Sequence, residues 1–235
     1  MKINTQYFDN ETIIGWQKYL QNITAQQRVE YVLEYIQGPF ALTSSFGAQS
    51  AVSLHMLTQI DKNIPVILID TGYLFPETYQ FIDQMSERLQ LNLKVFKSQL
   101  SPAWLESRYG KLWSQGIEGL TKFNNIMKVK PLENAFDALK ISAWFSGIRS
   151  NQSLSRNDKK VIEFKNSRIK IHPIIDWTDK DIYDYLQKHK LPYHPLWEKG
   201  YVSIGDTHTT QPLSTNMKPE DTRFFGLKRE CGIHD

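Results

Sequence analysis

Five short apolar runs, each followed by a polar turn, are spaced along the first three quarters of the chain. They cover residues 40–44, 65–69, 92–96, 141–147 and 168–172. Helical patterns stand between them. One spans about 49–60, a second opens at Pro76, a third at Ser101-Pro102 with a serine cap and proline in the first turn, and a fourth covers about 132–140. Alternation at this spacing builds βαβ units. It predicts an α/β fold in which a parallel twisted sheet carries helices on both faces.

The flanks are read in the same way. A helix is expected over residues 11–21. Thr24 and Gln27 form a capping box before a second helix carrying Val29, Val32, Leu33 and Ile36, which Gly38-Pro39 ends. Thr178 and Asp181 repeat the capping pattern and open a helix to about Lys190. Residues 108–130, with Gly110, Gly116 and Gly119, read as a functional loop region or short helices. Residues 150–160 read as a polar mobile stretch, and the last 45 or so residues carry no firm assignment. The expected organisation is a nucleotide-binding α/β domain over 1–215 and a mobile tail over 216–235.

Composition narrows the function classes. No apolar stretch approaches the ~18 residues of a membrane span. Residues 1–11 lack the apolar core of a signal peptide, so a cytoplasmic location is expected. The net charge of +3 is too mild to call for nucleic acid but suits a small anionic substrate. The six histidines are scattered without metal-ligand spacing, so no metal is expected.

Three loops should open on one sheet edge, where ligands of parallel sheets sit beyond the strands' carboxyl ends. Ser44-Ser45-Phe46-Gly47-Ala48-Gln49-Ser50 follows the first strand. Its hydroxyls and backbone N–H groups at a helix start suit a phosphate, although the same residues also describe an ordinary capped turn. Asp70-Thr71-Gly72 follows the second strand; Asp70 can accept from a ribose or adenine, or simply order the loop. Gly147 to Arg156 follows the fourth, where Arg149 and Arg156 are either phosphate clamps or solvated arginines.

The single cysteine, Cys231, lies in Lys228-Arg229-Glu230-Cys231-Gly232-Ile233-His234. An inert cysteine usually sits in apolar sequence. Here Lys228, Arg229 and His234 supply positive charge that favours the thiolate, the nucleophilic form.

These segments, with His172-Pro173-Ile174-Ile175-Asp176-Trp177, Tyr193 to Trp197, Gly205 to Thr210 and Thr222 to His234, resemble in order the thioredoxin-dependent phosphoadenylyl-sulfate (PAPS) reductases. The resemblance implies an adenine-nucleotide α-hydrolase-like fold related to ATP pyrophosphatases. It also implies conversion of PAPS to sulfite and adenosine 3′,5′-bisphosphate in assimilatory sulfate reduction, through a Cys231 S-sulfonate, with reduced thioredoxin (or glutaredoxin) as donor and a homodimeric assembly. The implied catalytic set is Cys231, His234, Lys228 and Arg229. The implied substrate set is Ser44, Ser45, Phe46, Gly47, Gln49, Ser50, Asp70, Thr71, Gly72, Lys128, Arg149 and Arg156.

Two departures sharpen this. ATP-cleaving relatives usually read Ser-Gly-Gly-x-Asp-Ser, and Gln49 stands here in place of the carboxylate that would hold Mg²⁺. Adenylyl-sulfate (APS) reductases carry two cysteine pairs for an iron–sulfur cluster, at positions corresponding to Phe123, Asn124, Asp206 and Thr209. One cysteine cannot supply four ligands, so no such cluster is expected. The rival readings are an APS reductase without a cluster and a non-catalytic redox-sensitive nucleotide-binding protein.

Overall fold

A computed structural model describes residues 2–4, 8–165, 167–227 and 232. The side chains of Asn10 and Leu154 are outside the description. The elements run β1 (Ile3–Asn4), α1 (Asn10–Leu20), α2 (Ala25–Tyr35), β2 (Ile36–Gln37), β3 (Phe40–Thr43), α3 (Ala51–Ile60), β4 (Pro65–Asp70) and α4 (Pro76–Leu89). They continue through β5 (Asn92–Lys97), α5 (Pro102–Tyr109), α6 (Gly116–Asn124), α7 (Lys130–Ala138), β6 (Ala143–Ser146), β7 (Ile162–Lys165), β8 (Arg168–Ile171) and α8 (Asp179–Lys188).

The main sheet has the order β5-β4-β3-β6-β8-β7, parallel except for the edge strand β7. Strand side chains alternate between faces, and the core divides accordingly. Leu42, Val66, Leu68, Ala143, Phe145, Ile169 and Ile171 face the apolar sides of α2, α3, α4 and α8. Ala41, Ile67 and Trp144 face the other way, against Leu132, Ala135 and Phe136 of α7. Burial on both faces is what makes the strands near-continuous apolar runs.

The predicted capping boxes form: Thr24 caps α2 with Gln27, and Thr178 caps α8 with Asp181. Ser101 caps α5 with Pro102 in its first turn. Four features differ from expectation. Residues 116–130, read as a loop or as short helices, instead run without a break into the expected fourth helix, through a π-helical stretch at Asn125–Val129 between α6 and α7. Gly119 lies where a Cβ would overlap the Leu112 carbonyl oxygen, so this glycine marks close packing, not irregular chain. The stretch read as mobile over 150–160 contains two 3₁₀ turns, Ser150–Gln152 and Leu154–Arg156. Ser150 ties the first of them down, since its N–H and hydroxyl both donate to the Ile175 carbonyl, at 2.7 and 2.9 Å. Finally β7, and the two-residue parallel pair β1–β2, were not anticipated; each is too short to show a period.

Beyond α8, residues 191–227 form short 3₁₀ turns folded against the sheet's carboxyl edge. Among the described residues no helix is long and apolar enough to cross a membrane.

Candidate active site

The strand order reverses direction at β3. From there the chain proceeds outward through β4 and β5, then returns to place β6 on the other side. The crevice between β3 and β6 at their carboxyl ends is therefore the switch point at which ligands of such sheets bind. Two of the three predicted loops open there, and the third follows the adjoining β4.

The serine loop leaves β3 through Ser44, whose N–H donates to the Ile67 carbonyl at 3.0 Å. Ser44 Oγ accepts from the Phe46 N–H at 3.1 Å. Phe46 has a φ of 49°, a left-handed conformation that costs a non-glycine residue energy, and its ring is wholly buried. Burial of the ring holds the turn, while Ser45 is left exposed at its tip. Ser50 Oγ donates to the Gly47 carbonyl at 2.9 Å, closing the loop before α3 begins.

Arg149 joins this loop to the third one. Its guanidinium donates to Gln49 Oε1 and Asp179 Oδ1, each at 2.8 Å, and to the Trp177 carbonyl and Asn151 Oδ1, each at 3.3 Å. Only 3% of Arg149 is exposed. The residue that replaces the expected carboxylate, Gln49, thus pairs with a buried arginine. Arg156 is half-buried and donates to Gln152 Oε1, the same oxygen that accepts from the Arg149 N–H at 3.1 Å.

After β4, Asp70 Oδ1 accepts from the Gly72 N–H at 2.8 Å and from the Tyr79 hydroxyl at 2.7 Å. Burial, and then the Asp70 carboxylate beside it, push the Tyr79 phenol well above its usual range. Gly72 has a φ of 73° and is exposed, so the backbone here is open to an approaching ligand.

Lys128 lies on the π-helical stretch and is buried. It ion-pairs with Asp206 Oδ2 at 2.5 Å, and Thr71 Oγ1 donates to Asp206 Oδ1 at 2.5 Å. Burial opposes ionisation of Asp206, but Lys128 and the Thr71 hydroxyl outweigh it and hold the carboxyl below its usual range. Phe123, Asn124, Asp206 and Thr209, the four positions expected to correspond to cluster cysteines, are all buried; the Lys128 ammonium lies 5.7 Å from the Phe123 ring, and the Thr209 N–H donates to the Asp206 carbonyl at 3.2 Å. His208 stacks 3.8 Å from Trp113, and burial pushes its imidazole down to about 4. Among the described residues no cluster of His, Cys, Asp and Glu has the makings of a metal site.

Sequence reasoning gave no role to Asp206, Asp179, Trp177 or His194. His194 is fully buried; its N–H donates to the Ala48 carbonyl at 3.1 Å, and its Nε2 lies 3.0 Å from Thr78 Oγ1. It thereby braces the serine loop against α4. These residues stand in motifs recognised only as markers of resemblance, and their partners are remote in sequence. Lys228, Arg229, Cys231 and His234 lie outside the described residues.

Residues 39–212 match the family described as Phosphoadenosine phosphosulfate reductase domain. The chain belongs to that family. A phosphoadenosine 5′-phosphosulfate reductase of Vibrio cholerae is 56% identical over 218 residues, 93% of this chain and 86% of the relative. One from Serratia proteamaculans is 57% identical over 216 residues, 92% and 88% respectively. Among solved structures, the PAPS reductase of Candida auris in a phosphate complex superposes with a TM-score of 0.76 at 26% identity, covering 90% of this chain and all of that one. The Candida glabrata FMN adenylyltransferase, at 16% identity and a TM-score of 0.60 over 91% of this chain and 73% of its own, shares the fold alone. Within the reductase family, the serine loop and the buried arginine of this chain meet at the sheet's switch point.

Proposed function

We propose that this chain reduces PAPS to sulfite, with Cys231 as nucleophile and reduced thioredoxin as electron donor. The observation that carries this reading is the junction of the serine loop with Arg149 at the β3–β6 crevice, in a chain of the PAPS reductase family whose only cysteine is Cys231.

The Ser44–Ser50 turn, at the start of α3, would offer N–H groups and hydroxyls to a phosphate of the nucleotide. Arg149 supplies fixed positive charge behind it, with Arg156 nearer solvent. Asp70 and Gly72 would face the adenosine, with Thr71, expected to join them, buried behind and donating to Asp206. Lys128, balanced by Asp206, sets the potential beside them. Attack of one anion on another is opposed by charge, so Lys228, Arg229 and His234 would accompany the thiolate or the sulfuryl oxygens.

Two steps balance the reaction. The Cys231 thiolate attacks the sulfuryl sulfur; a sulfur–sulfur bond forms, the bond to the bridging phosphate oxygen breaks, and adenosine 3′,5′-bisphosphate leaves with the electron pair. A thioredoxin thiolate then attacks Cys231 Sγ and sulfite departs with the electrons of the broken sulfur–sulfur bond. The second thioredoxin thiol resolves the mixed disulfide, returning Cys231 as thiolate and oxidising thioredoxin. A chain with one cysteine has no internal resolving thiol, which is why the dithiol must come from outside. The tail expected to be mobile over 216–235 is held at its root, where Thr222 and Phe224 are buried, so closure over bound substrate would fall to the residues that follow Phe224. A cytoplasmic homodimer without a bound cofactor completes the proposal.

A paired assay with PAPS and APS, each with reduced thioredoxin, tests it. Sulfite should form from PAPS in clear preference to APS, and Cys231→Ser should abolish sulfite release while nucleotide still binds. Preference for APS, or turnover by Cys231→Ser, would overturn it.

A further inference from the structure

The segment leading to Cys231 is clasped at its root. Phe224 is fully buried, and two cations approach its ring: Lys128 Nζ at 5.3 Å and the Arg223 guanidinium carbon at 4.9 Å from the ring centroid. Each cation is itself held. Lys128 pairs with Asp206, which is bound to Thr71 of the loop after β4. Arg223 donates to the Ile204 carbonyl at 3.1 Å and to Ser203 Oγ at 3.4 Å. It also packs on Gly205, where a Cβ would overlap its guanidinium.

The backbone at this point is unusual. Phe224, Phe225 and Gly226 have φ values of 51°, 58° and 74°. Two successive aromatic residues in the left-handed region cost energy, and the second of them, Phe225, is 54% exposed. Such a turn persists only if something on either side over-determines it. Upstream, the Gln211 N–H donates to the Thr222 carbonyl at 3.0 Å and the Thr222 hydroxyl to the Pro219 carbonyl at 2.7 Å. The ring of Phe224 is the last buried anchor before residue 228.

We propose that Phe224 is a positioning residue for the sulfuryl transfer: its ring, held by Lys128 and Arg223, fixes the point from which the chain continues towards Cys231. Cation–π pairs between desolvated groups are strong enough to hold a turn of this kind. Because Lys128 reaches Thr71 through Asp206, the anchor is continuous with a loop assigned to the substrate. The root of the segment that carries the nucleophile is thereby tied to that loop by a chain of contacts, and orientation of reacting groups is a large part of catalysis.

This inference rests on the reading of the chain as a PAPS reductase using Cys231. Two variants test it. Phe224→Leu keeps an apolar side chain and removes the ring. Gly205→Ala leaves the tail sequence untouched and displaces the Arg223 guanidinium from the ring. In PAPS-dependent sulfite formation, each should lower kcat by roughly tenfold or more, with KM for PAPS and the affinity for adenosine 3′,5′-bisphosphate nearly unchanged. If Phe224→Leu fails to fold, Gly205→Ala alone decides. Unchanged kcat, or a parallel loss of kcat, KM and nucleotide affinity, would overturn the proposal. Absence of sulfite formation by the unaltered protein would instead defeat the underlying functional reading.

Discussion

Four acceptors surround the Arg149 guanidinium, and no single ammonium can satisfy them in the same geometry. Arg149→Lys should therefore leave the chain folded but raise the Kd for adenosine 3′,5′-bisphosphate by about tenfold or more, as read by titration calorimetry. An unchanged Kd would move the phosphate site elsewhere. His194 gives a second prediction at this scale. Its Nδ1 accepts from the Leu196 N–H at 3.1 Å, so its Nε2 carries the proton and donates to Thr78. Burial holds the neutral form and lowers the imidazole to about 4 from 6.5. The unfolded chain takes up this proton near pH 6.5 and the folded chain does so only near 4. Stability is thus full above 6.5, falls as pH drops between those values, and levels off below. The loss should approach about 2–3 kcal/mol, measured as the urea midpoint against pH. His194→Gln should flatten part of that slope; an unaltered slope would place the titration on other groups.

Elements were legible where their own residues encode them. The capping boxes at Thr24 and Thr178, Pro102 behind Ser101, and the buried strands β4 and β6 all carry local signals, and all form. The helix over 132–140 was legible, but whether residues 108–130 formed a loop or short helices was not, because Gly119 there serves close packing against the Leu112 carbonyl. Gly110, Gly116 and Gly119 made the stretch look less regular, whereas the π-helical stretch joins α6 to α7 and places Pro131 in the first turn of α7, where a missing N–H costs little. Gly119→Ala would drive a methyl into the Leu112 carbonyl, which is backbone and cannot swing aside. The expected loss is about 1–3 kcal/mol in urea unfolding. A neutral result would show that the turn at Leu112–Ser114 yields more readily than its packing implies. The roles of Asp206 and Asp179 were illegible for a related reason: each acts through a partner about 30 or more residues away, and no local spacing encodes such a pair.

For the whole molecule, the strand–helix alternation was enough to expect a parallel sheet, and the polar turns after its strands were enough to expect the ligand edge. Strand order was not readable, since it depends on which strands pair after the chain reverses at β3. That order is what brings Gln49 and Arg149 together across 100 residues of sequence. The central claim is that Cys231 takes the sulfuryl group before any electron arrives. Intact-protein mass spectrometry after addition of PAPS without thioredoxin tests it most directly. One sulfonate adduct should appear on Cys231 and disappear, with release of an equal amount of sulfite, when reduced thioredoxin is added. An unmodified Cys231 in protein that nevertheless turns over once thioredoxin is supplied would contradict the account.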